Sequence, residues 1–181
     1  MVLCVADTGV EQLVEHYGER AYRLAWRITG AMDEAEAVTQ NALLRAASAI
    51  RSDTDESTLD SWIVRAVARE AAERRRRRQP VDEGVLEAVV DALPVGGAHF
   101  EPMEDWSARV DEPGLQTVIG KAIDALPADY RTALVLHDIE GISRPEIADA
   151  LDVDTEVVKV RVHRARLFVR QRLSEYFGAH A

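Results

Sequence analysis

Two clusters of cations are the residues best equipped for chemistry in this sequence. Arg69 and Arg74 to Arg78 form one; Lys159, Arg161, Arg164, Arg166, Arg170 and Arg172 form the other. Guanidinium forks and ammonium groups hold phosphate oxygens, and each such contact releases counterions. The chemistry on offer is salt-dependent binding of a nucleic-acid backbone. A solvated helix face accounts for either stripe taken alone. Bond-making chemistry has little to work with. His137 and Asp138 are an adjacent acid–base pair, for which packing or solvation is the expected role. No nucleophile–base pair, phosphate-cradling glycine loop or Cys/His set with metal-ligand spacing is present. The expectation is a protein that is not an enzyme and takes neither metal nor cofactor.

The cations need helices to display them. Val10, Leu13, Val14, Tyr17, Ala21, Leu24, Ala25 and Ile28 follow the three-and-four spacing of an amphipathic helix that stops near Thr29 and Gly30. Asp33 with Glu36 resembles a capping box for a second helix, which buries Val38, Ala42, Leu43, Ala46 and Ile50. A third begins near Ser57 or Thr58, buries Leu59, Trp62, Ile63, Ala66 and Val67, and runs through five arginines to Pro80. After Pro113, segments around Leu115–Ile123 and Tyr130–His137 continue the pattern, divided by Leu126-Pro127 and stopped at Glu140-Gly141. Ser143-Arg-Pro-Glu146 is a capping box opening a short helix with Ile147, Ala148 and Leu151 inside. Asp154 can then cap a long final helix.

A short helix, a tight turn and a long basic helix make a helix-turn-helix. Ala148 is the small residue at the crossing, and Asp152 occupies the turn position that needs a left-handed backbone. Thr155, Glu156, Lys159, Val160, His163 and Arg164 then fall toward the solvent side of the final helix or its N-terminal half. There Arg can read guanine and Lys can anchor phosphate.

Composition agrees with an all-α protein. Of 181 residues, 47% are hydrophobic and only 6% aromatic, and Ala, Glu, Arg, Leu and Val dominate. The formal net charge of −10 is concentrated in the middle, where residues 82–113 carry Arg109 against nine acids. Residues 1–81 carry 12 cations against 13 acids and residues 114–181 carry 9 against 10, so both basic stripes survive locally. The expected organisation is two small helical domains, 1–80 and 114–181, joined by an acidic linker at 81–113. Phe100, Met103 and Trp106 within that linker suggest a docking segment. No apolar run approaches the ~20 residues that span a bilayer. Lone Cys4 and the absence of a readable export signal fit a cytoplasmic protein without membrane insertion.

The stretch Leu126-Pro-Ala-Asp-Tyr-Arg through Ile147-Ala-Asp-Ala-Leu and Val158-Lys-Val-Arg-Val-His-Arg-Ala-Arg resembles the C-terminal promoter-binding domain of bacterial sigma factors of the extracytoplasmic-function (ECF) class. Residues 13–78 resemble the same family's N-terminal domain, through Leu-Val-Glu-His-Tyr, Asp-Glu-Ala-Glu-Ala-Val-Thr-Gln and the Trp62-Ile63 helix start. The resemblance implies a dissociable subunit that binds core RNA polymerase and directs initiation at specific promoters. It implies that Glu36, Val38, Gln40, Asn41, Leu43 and Leu44 contact the polymerase clamp. Arg51, Ser57, Trp62, Arg65 and Arg69 would read the separated minus-ten strand, with Arg74, Arg75 and Arg76 along the duplex backbone. Thr155, Lys159, Val160, Arg161, His163 and Arg164 would read the minus-thirty-five element. An anti-sigma factor is a further implied partner.

Three other readings stand beside this one. An enzyme lacks a constellation, and a plain helix-turn-helix repressor leaves the first three helices unexplained. A sigma-like decoy that binds an anti-sigma factor without holding polymerase is the principal alternative.

Overall fold

The structure, a computed structural model, describes residues 10–49, 56–79, 84 and 114–179. Among these it is all-α, with helices α1 (Val10–Thr29), α2 (Met32–Ala49), α3 (Glu56–Arg78), α4 (Leu115–Ala125), α5 (Ala128–Leu134), α6 (Arg144–Leu151) and α7 (Thr155–Ala179). Arg51, the loop up to residue 55 and the expected linker apart from Gly84 lie outside the described residues, as does Trp106.

Helices α1, α2 and α3 pack around Leu13, Leu24, Ile28, Val38, Leu43 and Val67, all at most 2% exposed. Alanines at 35, 42, 46, 68 and 71 are buried among them and let the helix backbones approach closely. Gly30, at φ 73°, ends α1 as expected, its N–H donating to the Trp26 carbonyl at 2.8 Å. The opening of α2 differs from the expected Asp33 cap. The helix begins two residues earlier, with Ala31 in the cap position and the Ala35 N–H donating to its carbonyl, and Asp33 sits within the first turn. There its charge still favours the positive helix end.

Leu126, extended before Pro127, separates α4 from α5. α5 then widens into a π-helical turn over Val135–Ile139 and closes at Gly141 with φ 70°. The capping box at α6 is formed: the Ser143 N–H donates to Glu146 Oε2 at 3.0 Å, and the Ser143 hydroxyl reaches the same oxygen. These bonds hold the exposed Glu146 carboxyl below its ordinary range. Asp152, at φ 57° and ψ 52°, makes the left-handed turn into α7. Asp152→Gly is expected to raise stability by roughly 1 kcal/mol, read as a higher melting temperature, because glycine removes the Cβ clash of that conformation.

Residues from both ends of the chain share one apolar core. Ala133, Val135, Leu136, Ile147, Ala148, Val158 and Val162 belong to the same buried cluster as the residues of α1 to α3. A smaller cluster of Leu126, Leu134, Ala165 and Phe168 ties α7 to α4 and α5. The direct packing of α1 to α3 on the C-terminal helices is a tertiary result.

Candidate nucleic-acid interface

The final helix has a buried face and an exposed face. Val158, Val162 and Ala165 face inward, whereas Thr155, Glu156, Lys159 and Val160 are exposed. Val157 joins Val160 as an outward apolar side chain. A groove of about 380 Å³ lies beside them, lined by Arg144, Lys159, Val160, His163, Arg164 and Arg166. Arg144, from the first turn of α6, was not among the expected contacts; its place inside a capping-box sequence gave no sign that it would border α7. Neighbouring acids moderate this surface. Lys159 is 3.0 Å from Glu156, Arg161 donates to Asp129 at 3.0 Å, and Arg166 forms two bonds to Asp138, at 2.8 and 2.5 Å. Asp138 therefore serves as an anchor for a basic side chain, while His137 Nδ1 lies 3.0 Å from the Ile142 carbonyl.

On α3 the five-arginine run divides by helical face. Arg77 and Arg78 are exposed and Arg76 half-exposed, but Arg75 is only 6% exposed. Its guanidinium donates to the Thr29 carbonyl at 2.8 Å and to the Asp124 carbonyl at 2.5 Å. Arg131 from α5 lies alongside, also buried, and donates to the Arg27 carbonyl at 2.6 Å and to the Asp124 carboxylate. The C-termini of α1 and α4 thus converge on two guanidiniums. Carbonyls left open at a helix end carry its negative pole, which is what makes this burial of two cations tolerable. The tension is still evident: burial, then the charge of Arg131, push Arg75 down to about 10. Arg75 is consequently a joint between the two units, away from any surface that DNA could touch. Neither the burial of Arg131 nor its partner carbonyls could be read from the Tyr130–His137 stripe, because Arg131 lies about 100° round the helix from Tyr130.

Arg74 is held by Glu34 at 2.7 Å and by Glu70, and the Glu34 bond raises it above its ordinary value. Trp62 is half-buried against the core and borders an open groove of about 850 Å³ together with Arg45, Arg65, Arg69 and Arg77. Arg65 and Arg69 line that groove while pairing with Asp149 and Asp152. Ser57 is exposed in the first turn of α3.

The expected polymerase-facing residues of α2 fall on different faces. Glu36, Gln40 and Leu44 make an exposed stripe four residues apart, and Leu44 is 53% exposed despite its apolar side chain. Val38 and Leu43 point into the core, and Asn41 donates to Glu70 Oε1 at 2.7 Å, tying α2 to α3.

Residues 13–81 match the family described as Sigma-70 region 2, and residues 116–169 match Sigma-70, region 4. The chain belongs to the ECF class of RNA polymerase sigma factors. It is 30% identical over 171 residues to the ECF RNA polymerase sigma factor SigE of Mycolicibacterium smegmatis, covering 94% of this chain and 62% of that protein. It is 29% identical over 166 residues to the ECF RNA polymerase sigma factor SigW of Bacillus subtilis, covering 90% and 88%. In fold it resembles the sigma factor RpoE of Bartonella quintana, solved in complex with the anti-sigma factor NepR, with a TM-score of 0.58 at 22% identity over 91% and 96% of the two chains. ECF sigma factors regulate transcription and are not enzymes. Among the described residues, no helix of this sigma factor is long and apolar enough to cross a membrane, and no acidic, His or Cys cluster could hold a metal ion.

Proposed function

We propose that this ECF sigma factor binds core RNA polymerase through Glu36, Gln40 and Leu44 and directs initiation in the cytoplasm by holding promoter DNA with α3 and α7. The observation that carries the reading is the second helix of the helix-turn-helix. Its inner face is core, while Lys159, Val160 and Arg164 border a cationic groove on its outer side. Lys159, Arg164 and Val160 together offer a phosphate anchor, a base-edge donor and an apolar contact for a thymine methyl. On α3, Trp62 and the arginines beside it offer the combination of stacking surface and electrostatic track that a displaced strand needs.

Titrating labelled protein with purified core RNA polymerase tests the first half of this proposal. Saturable binding is expected, with Gln40→Ala weakening it about tenfold, as for loss of one hydrogen-bonding side chain at an interface centre. Binding that ignores this substitution removes the α2 stripe from the interface.

The decoy reading retains one structural support, since only three of the six expected α2 residues are free to meet polymerase. It predicts no binding to core by folded protein and retention of an anti-sigma partner, the kind of partner held by the Bartonella relative.

A further inference from the structure

We propose that the C-terminal unit covers the DNA-facing stripe of α3 with three carboxylates standing where backbone phosphates would bind. This inference rests on the proposed role of α3 in holding DNA. Arg65, Arg69 and Arg76 are four and seven residues apart, which at 1.5 Å per residue spaces them by about 6 and 10.5 Å along one side of the helix. Each meets an aspartate from a different C-terminal segment. Arg65 bonds Asp149 of α6, Arg69 lies 3.9 Å from Asp152 in the recognition turn, and Arg76 lies 3.8 Å from Asp129 of α5. Asp129 also accepts from Arg161 of α7, so a cation expected on the minus-thirty-five side is engaged by the same carboxylate.

Cover and joint have opposite physical characters. The three pairs are all substantially solvated, the Arg69–Asp152 side chains being 50% and 90% exposed. Such pairs contribute little to stability and are screened by salt. Their positions instead compete with a polyanion for the same guanidiniums. The buried Arg75–Arg131 joint keeps the carboxylates within reach. DNA binding by α3 therefore requires the units to part locally, and a weak cover permits that.

The test uses the full chain and a fluorescein-labelled mixed-sequence single-stranded DNA oligonucleotide. The variant Asp129→Asn/Asp149→Asn/Asp152→Asn keeps side-chain shape and tolerates the left-handed turn. Glu11→Gln/Glu15→Gln/Glu19→Gln changes net charge equally and lies on α1. The interface variant is expected to bind about tenfold more tightly than this control and to steepen the salt dependence by about 2 in log–log slope, as three additional phosphate contacts require. Arg65→Ala/Arg69→Ala/Arg76→Ala should change binding little in the parent chain and abolish the gain in the Asn background. Equal binding by the interface and control variants, or equal arginine effects in both backgrounds, overturns the cover and leaves the DNA role of α3 standing. Absence of binding in every version, with unchanged circular dichroism, overturns the DNA role and the cover with it.

Discussion

Arg75→Ala is expected to lower the unfolding free energy by about 3 kcal/mol, in the range for breaking a buried charged cluster. A urea titration reads this as an earlier midpoint. The substitution strips the Thr29 and Asp124 carbonyls of a donor that is 94% hidden from water, and no other described side chain donates to the Thr29 carbonyl. Each carbonyl left buried without a partner carries a desolvation penalty of about 1–3 kcal/mol. Relief works in the other direction, because Arg75 and Arg131 repel each other across the joint. The loss is therefore expected to fall short of the sum of its broken bonds. Arg75→Lys should recover little, since a single ammonium cannot span carbonyls on two helices as a planar fork does. Both variants should also increase the distance between dyes placed on α2 and the C-terminal half of α7. A midpoint and distance unchanged from the parent would mean that the apolar cluster alone holds the units together.

Lys159→Ala/Arg164→Ala is expected to weaken binding to promoter duplex about 100-fold. One bidentate base contact contributes about 1–3 kcal/mol of discrimination, and a lost phosphate contact adds a salt-dependent share. The slope of log affinity against log salt should flatten by about 1 to 2, according to whether one or both side chains meet phosphate. The fold should survive, since Lys159 is exposed and pairs with Glu156 on the same helix. Undiminished duplex affinity with the same slope would remove α7 from promoter recognition. Comparison with the α3 variants separates the two surfaces, because α7 is tested on duplex and α3 on single strand.

These two results would probe different levels of the molecule. Local sequence determined the helices, their faces and most of their ends: the capping box at Ser143–Glu146 and the left-handed Asp152 are consequences of side-chain reach and backbone sterics within a few residues. Motif order likewise determined the ECF resemblance, and helical spacing determined that Lys159 and Val160 are exposed on the last helix. Only three-dimensional packing distinguished Arg75 from its neighbours Arg74, Arg76, Arg77 and Arg78, which are chemically identical in the sequence. At about 100° per residue each points in a different direction, and the direction taken by Arg75 meets helix ends contributed by residues 29 and 124. The same distance in sequence hid the pairing of Arg65, Arg69 and Arg76 with Asp149, Asp152 and Asp129. Whether a cation is a solvated contact for DNA or a buried joint depends on which distant carbonyls and carboxylates replace its water, and that exchange is decided when the two units pack.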